Sequence, residues 1–282
     1  MTLYVVATPI GNLSDLSPRA LDVLRSVDAI VAEDTRHTRG MLTHFDVHKA
    51  LLSLPAFDEA QRIGPIVERL RGGEHLALVT DAGTPAISDP GEALVAAAWD
   101  AGVQVVPIPG PSAALAALSA SGLTSSRFVF FGFLPRKGEG RRVAIEELQR
   151  GGMTFILYEA GNRTGDTLAD LATALGSRRA VVARELTKLH EEIVRAPLPE
   201  LAERFKRGAR GEVVIIVEGG VATTSAAEQL PPLEDAIRAR LAAGDRVKDV
   251  AQALAQAYGL PRQQVYAKVL ALRPASEDGT ET

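Results

Sequence analysis

The sequence predicts a two-domain α/β enzyme with a mainly parallel sheet and a ligand cleft floored by the loop from Thr80 to Gly91. Three observations carry this reading. Short apolar runs alternate with helical segments as far as Gly219, the pattern of repeated βα units. The small, polar stretch Ser119–Ser126 interrupts that alternation near its middle, where a domain boundary belongs. Loops rich in Gly and Pro follow several strands, at the carboxyl ends where open parallel sheets bind ligands.

Taken in order, Leu3–Thr8 reads as a buried strand. Ser17-Pro18 supplies an N-cap and a proline at the first helical position, opening a helix to about Ser26. Ala29–Glu33 is a strand and Thr35–Phe45 a helix. Asp58 with Gln61 forms a capping-box pattern and starts a helix that ends at Gly72-Gly73. Leu76–Thr80 is a strand, and beyond the loop Asp89-Pro90 is expected to cap a helix running to about Ala101. Val103–Ile108 is a strand, followed by Pro109-Gly110-Pro111-Ser112 and an alanine-rich helix. The second half places strands at Arg127–Phe133, Thr154–Glu159, Ala180–Glu185 and Glu212–Glu218. After Gly219, a Thr/Ser/Ala/Gln/Pro stretch to Pro232 reads as a linker. Beyond it, apolar spacing at Val247, Val250, Ala251, Leu254 and Tyr258, then at Val265, Tyr266, Val269 and Leu270, predicts helices. Residues after Pro274 are expected to fray. The domains therefore run 1–118 and 119–222, with a helical tail module over 233–274.

Of 282 residues, 46% are hydrophobic and 23% charged, which is enough apolar side chain to build real cores. The net charge of −4 argues against a protein that coats nucleic acid non-specifically. A local basic patch would still meet the phosphates of a structured RNA. No apolar run reaches bilayer-spanning length, and Met1 leads into Leu3-Tyr4-Val5-Val6 without a basic segment. Neither membrane nor signal peptide is expected, and a cytoplasmic protein is the simple reading. The chain has no cysteine, which removes disulfides, thiolate metal sites and cysteine nucleophiles together.

Three loops qualify as ligand sites: Thr8-Pro9-Ile10-Gly11-Asn12-Leu13, the run Asp81 to Gly91, and Pro107-Ile108-Pro109-Gly110-Pro111-Ser112-Ala113. Each joins Gly for close backbone approach to Pro for rigidity, so a ligand meets preset N–H and C=O groups. Any one alone is explained as a turn, whereas three at equivalent strand ends point to a shared site. No G-x-G-x-x-G follows a strand, and no G-x-x-x-x-G-K-[ST] is present. The loops carry acidic residues where a triphosphate wants lysine. A neutral or cationic ligand fits better.

Leu3–Leu13, Ala32–Thr38 and Asp81–Gly91 resemble the corresponding stretches of the bacterial small-subunit (16S) ribosomal RNA cytidine 2′-O-methyltransferases, within the tetrapyrrole (corrin/porphyrin) methylase superfamily. Pro109–Ala113, Ala183–Lys188 and Gly211–Gly219 match further along, and Lys248–Tyr266 resembles the family's C-terminal helical module. The likeness covers nearly the whole chain. It implies two αβα domains with S-adenosylmethionine in the cleft between them, a C-terminal helical module, a homodimer, the small ribosomal subunit as partner, and no metal. The implied cofactor site comprises Pro9, Ile10, Gly11, Asp81, Gly83, Thr84, Pro85 and Ile87, joined by Ser112 and Ala113. Tyr158 and Ala183 would reach it from the second domain. The physical reading agrees, since a sulfonium prefers carbonyls and apolar walls to lysine.

Two stretches depart from the family pattern. Leu54-Pro55-Ala56-Phe57-Asp58-Glu59 stands where relatives carry a His-Glu-His-Asn-like stretch after the third strand. Tyr158-Glu159-Ala160-Gly161-Asn162-Arg163 stands where they carry Tyr-Glu-Ser-Pro-His-Arg. Both are expected near the RNA side of the cleft, so they bear on the target nucleotide rather than on the cofactor.

Methyl transfer to a ribose hydroxyl needs in-line placement and a group that takes the hydroxyl proton. Glu33, Asp34 and Glu185 are the candidate bases, ahead of His37 and Lys188. Arg36, His37, Arg39, Arg184 and Lys188 are the candidates for holding substrate. Helix capping explains Asp34-Thr35 equally well, and a solvated ion pair explains Arg184-Glu185 with Lys188. His44, His48, His75 and His190 lack metal-ligand spacing. Two basic clusters, Arg136-Lys137 with Arg141-Arg142 and Arg204-Lys206-Arg207-Arg210, carry less weight, because such clusters are usually solvated helix faces. Leu260–Tyr266 resembles a helix-turn-helix turn, and a small helical pack explains it equally. Two other functions stay open: a methylase of a tetrapyrrole or other small molecule on the same fold, and a nucleic-acid-binding regulator whose first 220 residues sense a small molecule. The Arg36–Lys49 segment and the helical tail favour RNA.

Overall fold

The computed structural model describes residues 1–220, 232–258 and 260–272. The expected linker lies almost wholly outside these residues, as does everything beyond Pro274. The chain divides into two compact units, Met1–Ala222 and Thr223–Thr282.

The first unit begins with β1 (Thr2–Val6), α1 (Pro18–Ser26), β2 (Ala29–Ala32), α2 (Thr35–His44), β3 (Ala50–Ser53), α3 (Glu59–Arg71), β4 (His75–Val79), α4 (Glu92–Asp100) and β5 (Gln104–Ile108). Its sheet has the order β3-β2-β4-β1-β5, and every pairing is parallel. All five carboxyl ends therefore meet at one edge. Alternate residues of the central strands feed two cores: Leu3, Val31, Leu76 and Leu78 pack with Leu70 and Leu94, while Val6, Ile30, Ala77 and Val79 pack with Leu24 and Leu42. Burial on both faces is what parallel sheets covered by helices require.

Ser17 Oγ accepts from Ala20 N at 3.1 Å with Pro18 in the first turn, so α1 starts as its sequence predicts. Two other expected caps are not formed. Asp58 makes no capping bond and instead pairs with Arg62 at 2.8 Å. The N-cap of α4 is Gly91 at φ 126, not Asp89. A Cβ at Gly91 would sit 2.7 Å from Leu78 Cδ2, so glycine meets both the backbone and the packing demand there. β3 was not assigned from its own residues: it is a short edge strand, partly exposed along its length, so no buried apolar run marks it as one marks β2.

The second half contains α5 (Ala113–Ser121), β6 (Phe128–Phe133), α6 (Glu139–Gly151), β7 (Thr154–Ala160), α7 (Thr164–Leu175), β8 (Arg179–Arg184), β9 (Glu192–Pro197), α8 (Leu198–Arg204) and β10 (Glu212–Val217). The sheet order is β6-β7-β10-β8-β9. Only β6 and β7 pair in parallel, and the remaining three pairings are antiparallel. The expectation of a mainly parallel sheet thus fails here. The short loop from β8 to β9 leaves room only for an antiparallel return. β9 itself was not anticipated: it is an edge strand, half polar and ended by Pro197. Ala114, Ala117 and Leu118 of α5 pack on Ile156, Val181 and Ile216. By packing, α5 belongs to the second sheet.

The second unit holds α9 (Leu233–Ala242), α10 (Val247–Tyr258) and α11 (Arg262–Ala271). They enclose Ile237, Val250, Ala251, Leu254, Val265 and Val269. Leu270, which shares the apolar spacing of α11, is 48% exposed and lies outside that core. Among the described residues, no helix is long and apolar enough to cross a membrane.

A candidate active site at the strand ends

The sheet order puts β1 between β4 and β5, so the loops after these three strands lie side by side. Hydrogen bonds join them. Thr8 N donates to Gly83 O at 2.8 Å, and Gly83 N returns a bond to Thr8 O at 3.1 Å. The buried Thr8 hydroxyl donates to Thr80 O at 3.1 Å. Thr84 Oγ1 donates to Pro111 O at 3.2 Å, which ties the second loop to the third.

The second domain supplies the opposite wall. Tyr158, near the end of β7, accepts a bond from Ala114 N at 3.3 Å and so caps the first turn of α5. The rings of Phe130 and Phe133 stand edge-on to it, with centroids 5.0 and 5.7 Å away. Burial pushes the Tyr158 hydroxyl pKa up, which keeps it protonated. Across from Asp81–Gly91 runs the loop after β8. Among the described residues, five non-glycine residues have positive φ, and Ala86, Ser88, Glu185 and Thr187 are four of them. Such backbone persists only where its surroundings hold it, and it clusters at ligand clamps. Gly11 lies so close that a Cβ would sit 2.5 Å from Lys188 Cγ, so this loop also touches the first domain.

Between these walls is a cavity of about 410 Å³. Its lining is acidic and apolar. Glu33, Asp81 and Asp89 come from the first domain and Glu185 and Glu212 from the second, while Ile10, Ile87 and Val214 supply hydrocarbon. Among the described residues, Lys188 is the single cation on the wall; its Nζ lies 3.1 Å from Glu185 Oε1 and 3.7 Å from Glu212 Oε2. Glu33 Oε2 accepts the Thr80 hydroxyl at 2.7 Å, and Asp81 Oδ1 accepts Asp34 N at 3.3 Å. Burial and then the charge of Glu33 raise the Asp81 pKa. The same two causes push Asp89 up to about 6. Among the described residues, no cluster of His, Cys, Asp or Glu is arranged to hold a metal ion.

Most of the expected cofactor residues lie on this wall: Ile10, Asp81, Gly83, Thr84, Ile87, Ser112, Ala113 and Tyr158. Pro9 and Pro85 are buried behind it. Gly11 packs against the Lys188 and Thr187 side chains and Leu186 O, and Ala183 sits inside β8 with no exposed surface. Of the candidate bases, Glu33 and Glu185 face the cavity from opposite sides. Asp34 does not; it caps α2, accepting from Arg36 N at 2.8 Å, and the Arg36 guanidinium holds its pKa low. Arg36, His37 and Arg39 are exposed along α2, outside the lining. Arg184 is engaged by Glu192 at 2.5 Å, and only Lys188 of the expected substrate residues lines the cavity.

Ser88, Asp89, Phe133, Glu159 and Glu212 also line it; Ser88 and Asp89 fall in the expected ligand loop and Glu159 in a segment expected near the cleft, whereas Phe133 and Glu212 were not singled out as site residues. Asp89 carries the same local signal as a helix cap. Glu212 opens β10, and only the antiparallel orientation of that strand brings its first residue to the site.

The departing segments have structural roles. Glu159 is 2% exposed, accepts from Thr167 Oγ1 at 2.5 Å and from Ala160 N at 2.9 Å, and pairs with Arg163 at 3.4 Å. Gly161 O accepts from Ala209 N at 2.7 Å, and a Cβ on Gly161 would come within 2.4 Å of Ala209 O. Glu59 Oε1 accepts from Gly91 N at 2.9 Å and props the second loop, while Phe57 is 92% exposed.

The family model for tetrapyrrole (corrin/porphyrin) methylases matches residues 2–202. A Xylella fastidiosa protein named ribosomal RNA small subunit methyltransferase I is 54% identical over 222 residues, covering 77% of this chain and 81% of its own. The Synechocystis protein of the same name is 43% identical over 266 residues, covering 94% and 95%. Among solved structures, a diphthine synthase aligns with TM-score 0.60 at 17% identity, over 77% of this chain and 90% of its own. A uroporphyrin-III C-methyl transferase from Thermus thermophilus complexed with S-adenyl homocysteine aligns with TM-score 0.57 at 17% identity, over 77% and 97%.

Proposed function

The chain belongs to the tetrapyrrole (corrin/porphyrin) methylases, and on that premise we propose that it methylates the 2′-hydroxyl of a cytidine ribose in small-subunit ribosomal RNA, using S-adenosylmethionine. The names of its relatives support the RNA substrate. One observation in the structure carries the cofactor: the cavity joins rigid main chain, apolar side chains and several carboxylates, with its single lysine already paired. That donor set suits a positively charged sulfonium and repels a polyphosphate.

S-adenosylmethionine supplies a methyl group activated by its sulfonium. Ile10, Gly83, Thr84, Ile87, Ser112, Ala113 and Tyr158 would hold it, and Asp81 and Asp89 would favour its positive charge. Glu33, Asp89 and Glu185 are placed to take the hydroxyl proton. Asp89 suits that task best, because a carboxylate titrating at about 6 is charged at neutral pH and binds a proton more tightly than an ordinary one. Asp34 serves the helix instead. Lys188 orients substrate from the second wall, and Arg36, His37 and Arg39 meet RNA phosphates from α2. Arg184 acts through Glu192 as a prop for the loop. The working form is a cytoplasmic homodimer, and its partner is the small ribosomal subunit.

The test incubates the protein with labelled S-adenosylmethionine and either small ribosomal subunits or naked RNA. Label is expected on a cytidine 2′-oxygen. Label in neither substrate, with cofactor binding intact by calorimetry, would overturn the proposal.

A further inference from the structure

We infer that the rim of the second domain beside the cavity is a track for RNA phosphates, carried by Arg136, Lys137, Arg207 and Arg210. The inference rests on the RNA reading above and adds the surface that delivers the substrate.

The structure sorts the two basic clusters of the sequence into held and free residues. Arg141 is nearly buried, with its guanidinium on Asp170 at 2.7 Å, Thr167 at 2.9 Å and Pro135 O at 3.2 Å. Arg142 is clasped by Glu139 and Glu146. Arg204 pairs with Glu192 at 2.6 Å, and Lys206 pairs with Glu203. Arg136, Lys137, Arg207 and Arg210 are exposed, and none makes an ion pair or side-chain hydrogen bond among the described residues. Acids therefore neutralise half of the cations and leave four to solvent.

Topology gathers those four. β6 and β7 end, and β10 begins, at the edge that lines the cavity. The loop after β6 is tied to the loop after β7 by Arg163 Nη2, which donates to Leu134 O at 3.3 Å. That loop is tied to the approach to β10 through Ala209 N and Gly161 O at 2.7 Å. Gly211 then leads to the wall: a Cβ there would sit 1.8 Å from Glu185 Oε1, beside Lys188. The rim is thus continuous from Arg136 to the cavity mouth, and the departing segment Ala160–Asn162 lies in its middle. Four uncompensated cations on one rim of a chain with net charge −4 suit a flexible polyanion whose backbone lies along them while one ribose enters the cavity.

The experiment uses the full chain with Arg136→Gln/Lys137→Gln, Arg207→Gln/Arg210→Gln, the fourfold combination, and Arg179→Gln as a control on the far edge. Methyl transfer to small subunits or naked RNA is measured for KM and kcat, and binding of a fluorescent RNA fragment is measured against salt. The fourfold variant is expected to raise KM on the order of tenfold or more, with kcat and cofactor affinity unchanged. The slope of log K against log salt should fall by about one per residue removed. A fourfold variant with wild-type KM and salt slope overturns the track, as does an equal loss in the control. If the wild type labels no RNA, the activity proposed above falls, and the salt slope of RNA binding alone decides the track. Binding of an acidic protein but not RNA, lost in the fourfold variant, also overturns it.

Discussion

The Thr80 hydroxyl donates to Glu33 Oε2 at 2.7 Å, joining the ends of the neighbouring strands β4 and β2 at the cavity wall. Thr80 is 2% exposed, so its hydroxyl has no water to turn to. Thr80→Val keeps the shape and removes the donor, leaving a partly buried carboxylate undersupplied. We expect methyl transfer to fall about tenfold and stability by about 1–3 kcal/mol, as for an unsatisfied partly buried acceptor. Label transfer and urea denaturation measure the two. An unchanged rate would show that Glu33 needs no orientation from Thr80.

Asp89 gives a pH signature. Its carboxyl titrates at about 6 rather than 3.8, so a reaction using it as base should rise in kcat/KM through pH of about 6. Asp89→Asn should remove that limb and slow transfer about 10²-fold or more. The sign for stability runs the other way. Between about 4 and 6 the folded chain holds a proton that the unfolded chain has lost, so raising the pH destabilises the protein at this site. Asp89→Asn should therefore gain stability over the wild type across that window and keep a constant advantage above it. Thermal unfolding from pH 4 to 8 measures this, and parallel curves would contradict it.

Cofactor binding should carry the same proton. A cation entering beside Asp89 favours its ionised form, so S-adenosylmethionine should bind more tightly as pH rises through about 6. The neutral thioether S-adenosylhomocysteine should show a smaller dependence. Calorimetry of both ligands across that range checks the difference, and equal slopes would remove the carboxylates from cofactor recognition.

Gly211 has φ 77, and a side chain there would collide with Glu185. Gly211→Ala should displace Glu185 from Lys188 and cost about 1–2 kcal/mol of backbone strain. Activity should fall further than stability does. A variant that loses only stability would show that the Glu185–Lys188 pair is dispensable.

Arg141 and Arg142 are adjacent and should behave oppositely. Arg141→Met strips three partners from a nearly buried site and should destabilise by about 3 kcal/mol. Arg142→Met removes two exposed ion pairs and should stay within about 0.5 kcal/mol. Chemical denaturation of the two variants decides it.

Much of the cleft was legible because its signals are local. Ser17-Pro18 announces a helix start, and three Gly/Pro loops announce strand ends, without any knowledge of the tertiary fold. What stayed hidden depends on the order of strands. Glu212 is an ordinary strand opener until β10 is seen to run against β7, which carries it to the cavity. Phe133 reads as the last apolar residue of β6 and becomes a wall only through Tyr158. Asp89-Pro90 was misread for a different reason. The dipeptide suits a helix cap, but Gly91 supplies the cap and leaves the carboxylate to the cavity. Asp34 reverses this: its catalytic and capping readings looked alike in sequence, and its bond to Arg36 N shows the cap.

The left-handed backbone at Ala86, Ser88, Glu185 and Thr187 has a kinetic consequence. Each residue raises the energy of the folded chain by about 1 kcal/mol or more, and that cost is met during folding, before any ligand arrives. The incoming molecule then finds a template instead of inducing one. Capture becomes a single encounter with no slow rearrangement after it, so the association rate should fall in inverse proportion to solvent viscosity and stay first order in ligand up to high concentration.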